Sequence, residues 1–227
     1  MSVPFDPKRV SVIDLPNTKS PHMIVRGNMP LIDGDFAYPE IENVLNCDLS
    51  VDKFVSMSSI DNTGERDSWA AELSAFRVSP DIYPARDWPP YLHQADWAPG
   101  RLQGTGELIY GKSFVRQKAN LIWWPFEGMS PTDDAKVFLY SPGWDFAGCV
   151  EYLYGLYRDE TTPAMVLYVH CMLGADRTGA LHAGLLVRDG LGIEEALGIA
   201  SKATSAGAPS PDYIRLARAY ARYRPIR

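Results

Sequence analysis

The sequence predicts an α/β fold in which a central, mainly parallel sheet is flanked by helices. Two observations carry this expectation. Apolar runs of strand length at residues 53–60, 119–124 and 165–170 alternate with stretches whose apolar positions recur at helical spacing. The stretch 178–189 is apolar nearly all round, as a helix buried against a sheet would be.

Taken in order, residues 53–60 alternate in part and read as a strand. Asp61-Asn62-Thr63-Gly64 then leads to a helix over 65–76, with Asn62 and Glu65 as a capping pair and Trp69, Leu73 and Phe76 on one face. Residues 79–111 are rich in Pro, Trp and Gly and hold no sustained period. Segments of that length in compact domains are functional or disordered, and Tyr83, Trp88, Tyr91 and Trp97 favour an ordered, packed excursion. The run 119–124 stops at Pro125, which removes a strand donor. A loop follows. A helix over 144–158 then gathers Phe146, Cys149, Val150, Leu153 and Tyr157 on one face, and Pro163 separates it from the strand at 165–170. The helix at 178–189 comes next, with Gly190 to stop it. Helices over 193–203 and 211–223 close the chain. Ser210 before Pro211 is an N-cap followed by proline at the first helical position, and Tyr213, Leu216, Ala217 and Tyr220 form an inner stripe.

At 227 residues, 46% hydrophobic and 22% charged, the chain has the composition of one globular domain spanning 1–227. It holds no apolar run of about eighteen residues and no basic-then-apolar signal pattern at its amino end, so a cytoplasmic protein without integral membrane association is expected. Cys47, Cys149 and Cys171 are odd in number and widely spaced, which argues against a disulfide framework and a zinc site. No metal or cofactor is expected. A net charge of −6 disfavours nucleic acid as a partner, so an anionic substrate must be caught locally. The one basic concentration, Arg215, Arg218, Arg222, Arg224 and Arg227, reads first as a solvated helix face and second as a dock for a polyanion.

Ligands in parallel sheets bind beyond the carboxyl ends of strands. At the end of the strand 165–170 the sequence reads His170-Cys171-Met172-Leu173-Gly174-Ala175-Asp176-Arg177-Thr178-Gly179, an H-C-x5-R-[ST] pattern between a strand and a helix. A turn of this length can wrap round one phosphate, with the N–H groups of Met172, Leu173, Gly174, Ala175, Asp176 and Arg177 pointing inward as a nest. The helix N-terminus adds partial positive charge, and together these favour the thiolate of Cys171. Arg177 offers a bidentate fork, and Gly174 lets the loop turn.

The pattern resembles the phosphate-binding signature of the cysteine-dependent protein-tyrosine/dual-specificity phosphatase superfamily. The resemblance implies a dual-specificity-phosphatase-like fold and a phosphomonoester hydrolase with a cysteinyl-phosphate intermediate, Cys171 as nucleophile and Arg177 as phosphate clamp. It implies that Thr178 hydrogen-bonds the Cys171 sulfur and that His170 orients the loop through backbone hydrogen bonds. A catalytically weak pseudophosphatase acting as a phosphate-dependent binding module is the alternative, with rhodanese-like sulfurtransferases and arsenate reductases more remote. The mechanism also needs a carboxylic acid on a separate loop. Trp124-Pro125-Phe126-Glu127-Gly128-Met129-Ser130-Pro131 resembles the acid loop of the tyrosine-specific branch, with Phe126 at the aspartate position and Glu127 one place later. Glu127 is the first choice, ahead of Asp133, Asp134 and Asp145. Asp176 is a further candidate, since it matches the D-R-T ending of myotubularin-like lipid phosphatases, and its other reading is to brace the loop. No counterparts of the tyrosine-recognition or late glutamine loops are evident. The expected partner is a phosphorylated protein, lipid or inositol substrate.

Overall fold

A computed structural model describes residues 4–47, 54–60, 65–75, 113–116, 119–140 and 145–224. Its main sheet has six strands: β1 (Ser11–Ile13), β2 (Met23–Gly27), β5 (Phe54–Ser58), β6 (Ser113–Arg116), β7 (Ala119–Trp123) and β8 (Val166–His170). Their spatial order is β1-β2-β8-β5-β7-β6. The four inner strands run parallel, while β1 and β6 are antiparallel edges. Two short strands, β3 (Leu31–Ile32) and β4 (Asp35–Phe36), form a separate hairpin. Its tip is Asp33-Gly34, both at positive φ, as a two-residue turn requires.

β8 explains why the sheet is parallel at its centre. Leu167 and Val169 are buried in one core and Tyr168 in another, so the strand is apolar on both faces. One face packs under α3 (Ala135–Tyr140), α4 (Phe146–Arg158), α5 (Asp176–Arg188), α6 (Ile193–Lys202) and α7 (Pro211–Tyr223). The other packs under α1 (Tyr38–Leu45), α2 (Arg66–Ala75) and the amino-terminal segment. Every residue of α5 from Thr178 to Val187 is buried, because the helix lies on the sheet and is covered in turn by α4, α6 and α7. The expected mainly parallel sheet flanked by helices is thus observed.

The boundaries read from periodicity shift in ways that have local causes. α5 starts at Asp176 because the first helical turn is part of the loop that precedes it. Asp145 caps α4 by accepting the Gly148 N–H at 2.8 Å. Ser210 precedes α7 as expected, but its hydroxyl makes no capping bond. The loop expected after Pro125 contains α3, whose six residues are too few to show a period. Of the carboxyl-terminal arginines, Arg215 bonds Met129 O and Asp212, Arg218 pairs with Glu194 and Arg224 bonds Val187 O. The 79–111 excursion, Asn62, Phe76 and Arg227 lie outside the described residues. No helix among the described residues is long and apolar enough to cross a membrane.

Candidate active site

β8 delivers Cys171 to the carboxyl edge of the sheet, where its side chain is 4% exposed. The chain then turns through Met172, Leu173, Gly174 and Ala175 before Asp176 opens α5. Each carbonyl of that turn is held from outside. The Met29 N–H donates to Met172 O at 3.3 Å and the Gly179 N–H to Ala175 O at 2.8 Å. Arg9 Nη1 donates to Leu173 O and Arg26 Nη2 to Gly174 O, both at 2.7 Å. In a trans peptide the N–H points away from the C=O. The amides of Leu173, Gly174, Ala175 and Asp176 therefore face the inside of the turn, and among the described residues none has a protein acceptor. Converging amides at a helix N-terminus make an anion nest.

Gly174 is required twice over. Its φ is +72°, where a side chain costs about 1–2 kcal/mol. A Cβ would also lie 2.7 Å from Gly27 O and 3.0 Å from Asn28 N, backbone that cannot rotate aside. The turn therefore packs backbone to backbone on the segment leaving β2.

Arg177 is 13% exposed in its side chain. Nε donates to Phe126 O at 2.9 Å and Nη1 to Glu65 Oε2 at 2.6 Å. Nη2 and one N–H of Nη1 have no partner among the described residues, so donors remain for an anion. Burial opposes the charge, but Tyr213, Glu65 and Cys171 outweigh it and hold the guanidinium above its ordinary value. Burial also pushes the Tyr213 phenol up to about 12, with Arg177 opposing and Cys171, Asp176 and Glu127 reinforcing. One phenol thus feels Cys171, Arg177 and two carboxylates together.

Of the acid candidates, Glu127 is half-buried and acts on that phenol. Its loop lies on the first turn of α7: a Cβ at Gly128 would meet Asp212 Cβ at 2.8 Å and the Tyr213 ring at 3.1 Å. The Met129 N–H donates to Asp212 O at 3.1 Å. Three other carboxylates cap backbone. Asp133 Oδ2 accepts the Ser130 N–H at 2.6 Å, Asp134 Oδ1 accepts Lys136 and Val137 N–H at 2.9 and 3.1 Å, and Asp145 caps α4. Burial raises the Asp145 carboxyl, against the lowering effect of its Gly148 bond. Asp176 Oδ1 accepts the Ser210 N–H at 2.6 Å and so ties α5 to the segment entering α7.

Two expectations about the neighbours need correction. The Thr178 hydroxyl is buried on the core side of α5 and has no hydrogen-bond partner among the described residues, the Cys171 sulfur included. The His170 ring meets side chains and no backbone group: Nε2 lies 2.9 Å from Glu72 Oε1 and 3.2 Å from Ser56 Oγ, and Nδ1 has no partner among the described residues. With His170 1% exposed and Glu72 fully buried, a polar partner for the ring has to come from the protein.

Sequence reasoning missed Glu65, Glu72, Tyr213 and Arg26 as site residues. Glu65 reads as a cap and Tyr213 as core, and nothing local shows that Glu65 meets an arginine 112 positions later. Arg26 and Glu72 did leave a signal, since each is a lone charge flanked by apolar residues, in Met23-Ile24-Val25-Arg26 and in Ala71-Glu72-Leu73.

No protein-family model matches the sequence, and no curated protein matches it. Among solved structures, Tk-PTP in its active form overlaps 92% of this chain and 94% of its own, at 11% identity and a TM-score of 0.43. The Trypanosoma cruzi protein tyrosine phosphatase TcPTP1 covers 92% of this chain and 69% of its own at 14% identity and 0.43. The catalytic domain of human protein tyrosine phosphatase non-receptor type 18 covers 87% and 67% at 12% identity and 0.42. Overlaps this loose carry no weight in assigning an activity, which has to come from the residues of the turn.

Proposed function

We propose that this chain is a cysteine-dependent phosphomonoester hydrolase of the protein-tyrosine/dual-specificity type. One observation supports the reading: the four carbonyls of the turn that follows Cys171 all accept hydrogen bonds, which leaves the opposite side of each peptide, its N–H, to an anion. Cys171 Sγ attacks phosphorus, and the bond from phosphorus to the leaving oxygen breaks. Glu127 gives its proton to that oxygen. The inward amides and the open edge of Arg177 bind the three remaining phosphoryl oxygens as charge shifts between them. Water then attacks the cysteinyl phosphate, Glu127 takes the proton, and the Cys171 thiolate leaves with phosphate released.

The turn holds Met172, Leu173 and Ala175 where a polyphosphate reader would want lysines, and Leu173 is 44% exposed. That composition favours a singly phosphorylated residue of a protein over a highly phosphorylated inositol or phosphoinositide. A panel of phosphotyrosyl and phosphoseryl peptides, phosphoinositides and inositol phosphates at fixed salt separates these substrates.

Replacing the nucleophile tests the mechanism. Cys171→Ser should reduce hydrolysis of p-nitrophenyl phosphate to background while inorganic phosphate still binds, because the amides are untouched. Wild type that binds phosphate or vanadate without turnover would make the chain a phosphate-dependent binding module. Full activity in Cys171→Ser would remove the proposed mechanism.

A further inference from the structure

Arg26, next to last in β2, is 0% exposed. Nη2 donates to Gly174 O at 2.7 Å; Nη1 donates to Ala200 O at 2.7 Å and lies 3.0 Å from His182 Nδ1. A guanidinium only donates, so His182 Nδ1 is the acceptor and the ring proton sits on Nε2. Burial, and then Arg26 itself, lower His182 to about 3, so the imidazole is neutral. None of the three partners is an anion, and among the described residues Arg26 joins no carboxylate. Burial lowers the guanidinium to about 10 while Cys171 raises it, which leaves it charged at neutral pH.

A buried, charged side chain without a counterion is costly, and folds tolerate one where something repays it. Cys171 also couples to Arg177, Tyr168 and Tyr213. Arg177 on α5 is paired with Glu65. Tyr168 on β8 and Tyr213 on α7 are both raised by burial, so both stay neutral. His170 beside Cys171 hydrogen-bonds Glu72. Among these described groups Arg26 is the cation without a carboxylate partner, and it touches the turn directly.

We propose that Arg26 is a positioning residue and the buried counter-cation of the anion-binding turn. It fixes the Gly174–Ala175 peptide with its N–H turned inward, and it balances the negative charge of Cys171 and of the anion bound above it. The inference rests on the turn being a phosphate site.

Two variants of the full chain separate the two roles. Arg26→Met removes both the charge and the fork, whereas Arg26→Lys keeps the charge but cannot bridge three acceptors in one plane. Three quantities are read: the pH midpoint for alkylation of Cys171 by iodoacetamide, followed by mass spectrometry; the vanadate Kd, from protection against that alkylation; and Tm. Arg26→Met should raise the midpoint by about one pH unit or more and weaken vanadate about tenfold or more. Arg26→Lys should keep a near-wild-type midpoint yet bind vanadate about tenfold more weakly. A folded Arg26→Met with wild-type midpoint and Kd overturns the proposal. Should Arg26→Met fail to fold, Arg26→Lys decides alone, and an unchanged vanadate Kd there overturns it. Wild type that binds no vanadate is instead the failure of the phosphatase reading, and the alkylation midpoints still test the charge.

Discussion

At the scale of single residues, the proposed role of Glu127 rests on its place beside the Tyr213 phenol, while the other carboxylates serve the backbone. Asp133, Asp134 and Asp145 spend an oxygen on backbone N–H groups of their own turns, and Asp176 on Ser210. Glu127 lies in the field of the Tyr213 phenol, together with Cys171 and Arg177. An acid matters most when the leaving oxygen is basic, so Glu127→Gln should slow an alkyl phosphate about 10²-fold or more and p-nitrophenyl phosphate much less, with a flatter basic limb in the pH profile. Rates for the two substrates across pH check this. An equal loss on both, or the same pattern from Asp133→Asn, would move the acid elsewhere. The candidacy of Glu127 was legible because Trp124-Pro125 and Pro131 frame it in sequence. Glu65 was not, because an ion pair across 112 positions leaves no local trace.

At the scale of elements, the loop that carries Glu127 and α7 form one unit. Gly128 lies against Asp212 and Tyr213, Met129 exchanges bonds with Asp212 and Arg215, and α7 is tied through Ser210 to Asp176 at the start of α5. Gly128→Ala would place a Cβ 2.8 Å from Asp212 Cβ, forcing the loop off the helix. The expected outcome is a lower kcat that is worst for poor leaving groups, with phosphate binding nearly unchanged, measured by steady-state kinetics beside phosphate titration. The strands and helices around the turn were readable, since Val166–His170 and Asp176–Arg188 are long and apolar on the faces they bury. The amino-terminal third was not: β1, β3 and β4 are two or three residues long, too short to set up a period. Yet that third supplies Arg9, Arg26 and Met29, which hold three of the four carbonyls of the turn.

At the scale of the whole molecule, the same buried pair sets an acid limit on stability. His182 is lowered from 6.5 to about 3 in the fold, so between those values the unfolded chain binds a proton that the native chain does not. Stability then rises with pH across that window and is lost on acidification, with a slope approaching about 1.4 kcal/mol per pH unit. From pH 7 to pH 5 this single group should contribute a loss of about 2 kcal/mol. His182→Asn offers Arg26 an acceptor that does not titrate, and urea unfolding at both pH values should show a correspondingly flatter dependence. Equal slopes in the two proteins would mean that His182 is protonated in the native state.

The order of strands has a further consequence, for how the molecule comes to exist. β2 and β5 do not pair with each other; each pairs with β8, which lies between them and comes more than a hundred residues later than either. Until residues 166–170 arrive, the described strands can offer two part-sheets, β1 with β2 and β5 with β7 and β6, each ending in an open parallel edge. Such edges are where nascent chains wait longest and pair wrongly most easily. Cys171 follows directly on the strand that closes this gap, so the proposed nucleophile reaches its turn in the same event that completes the sheet. A chain caught before closure is sticky but chemically idle.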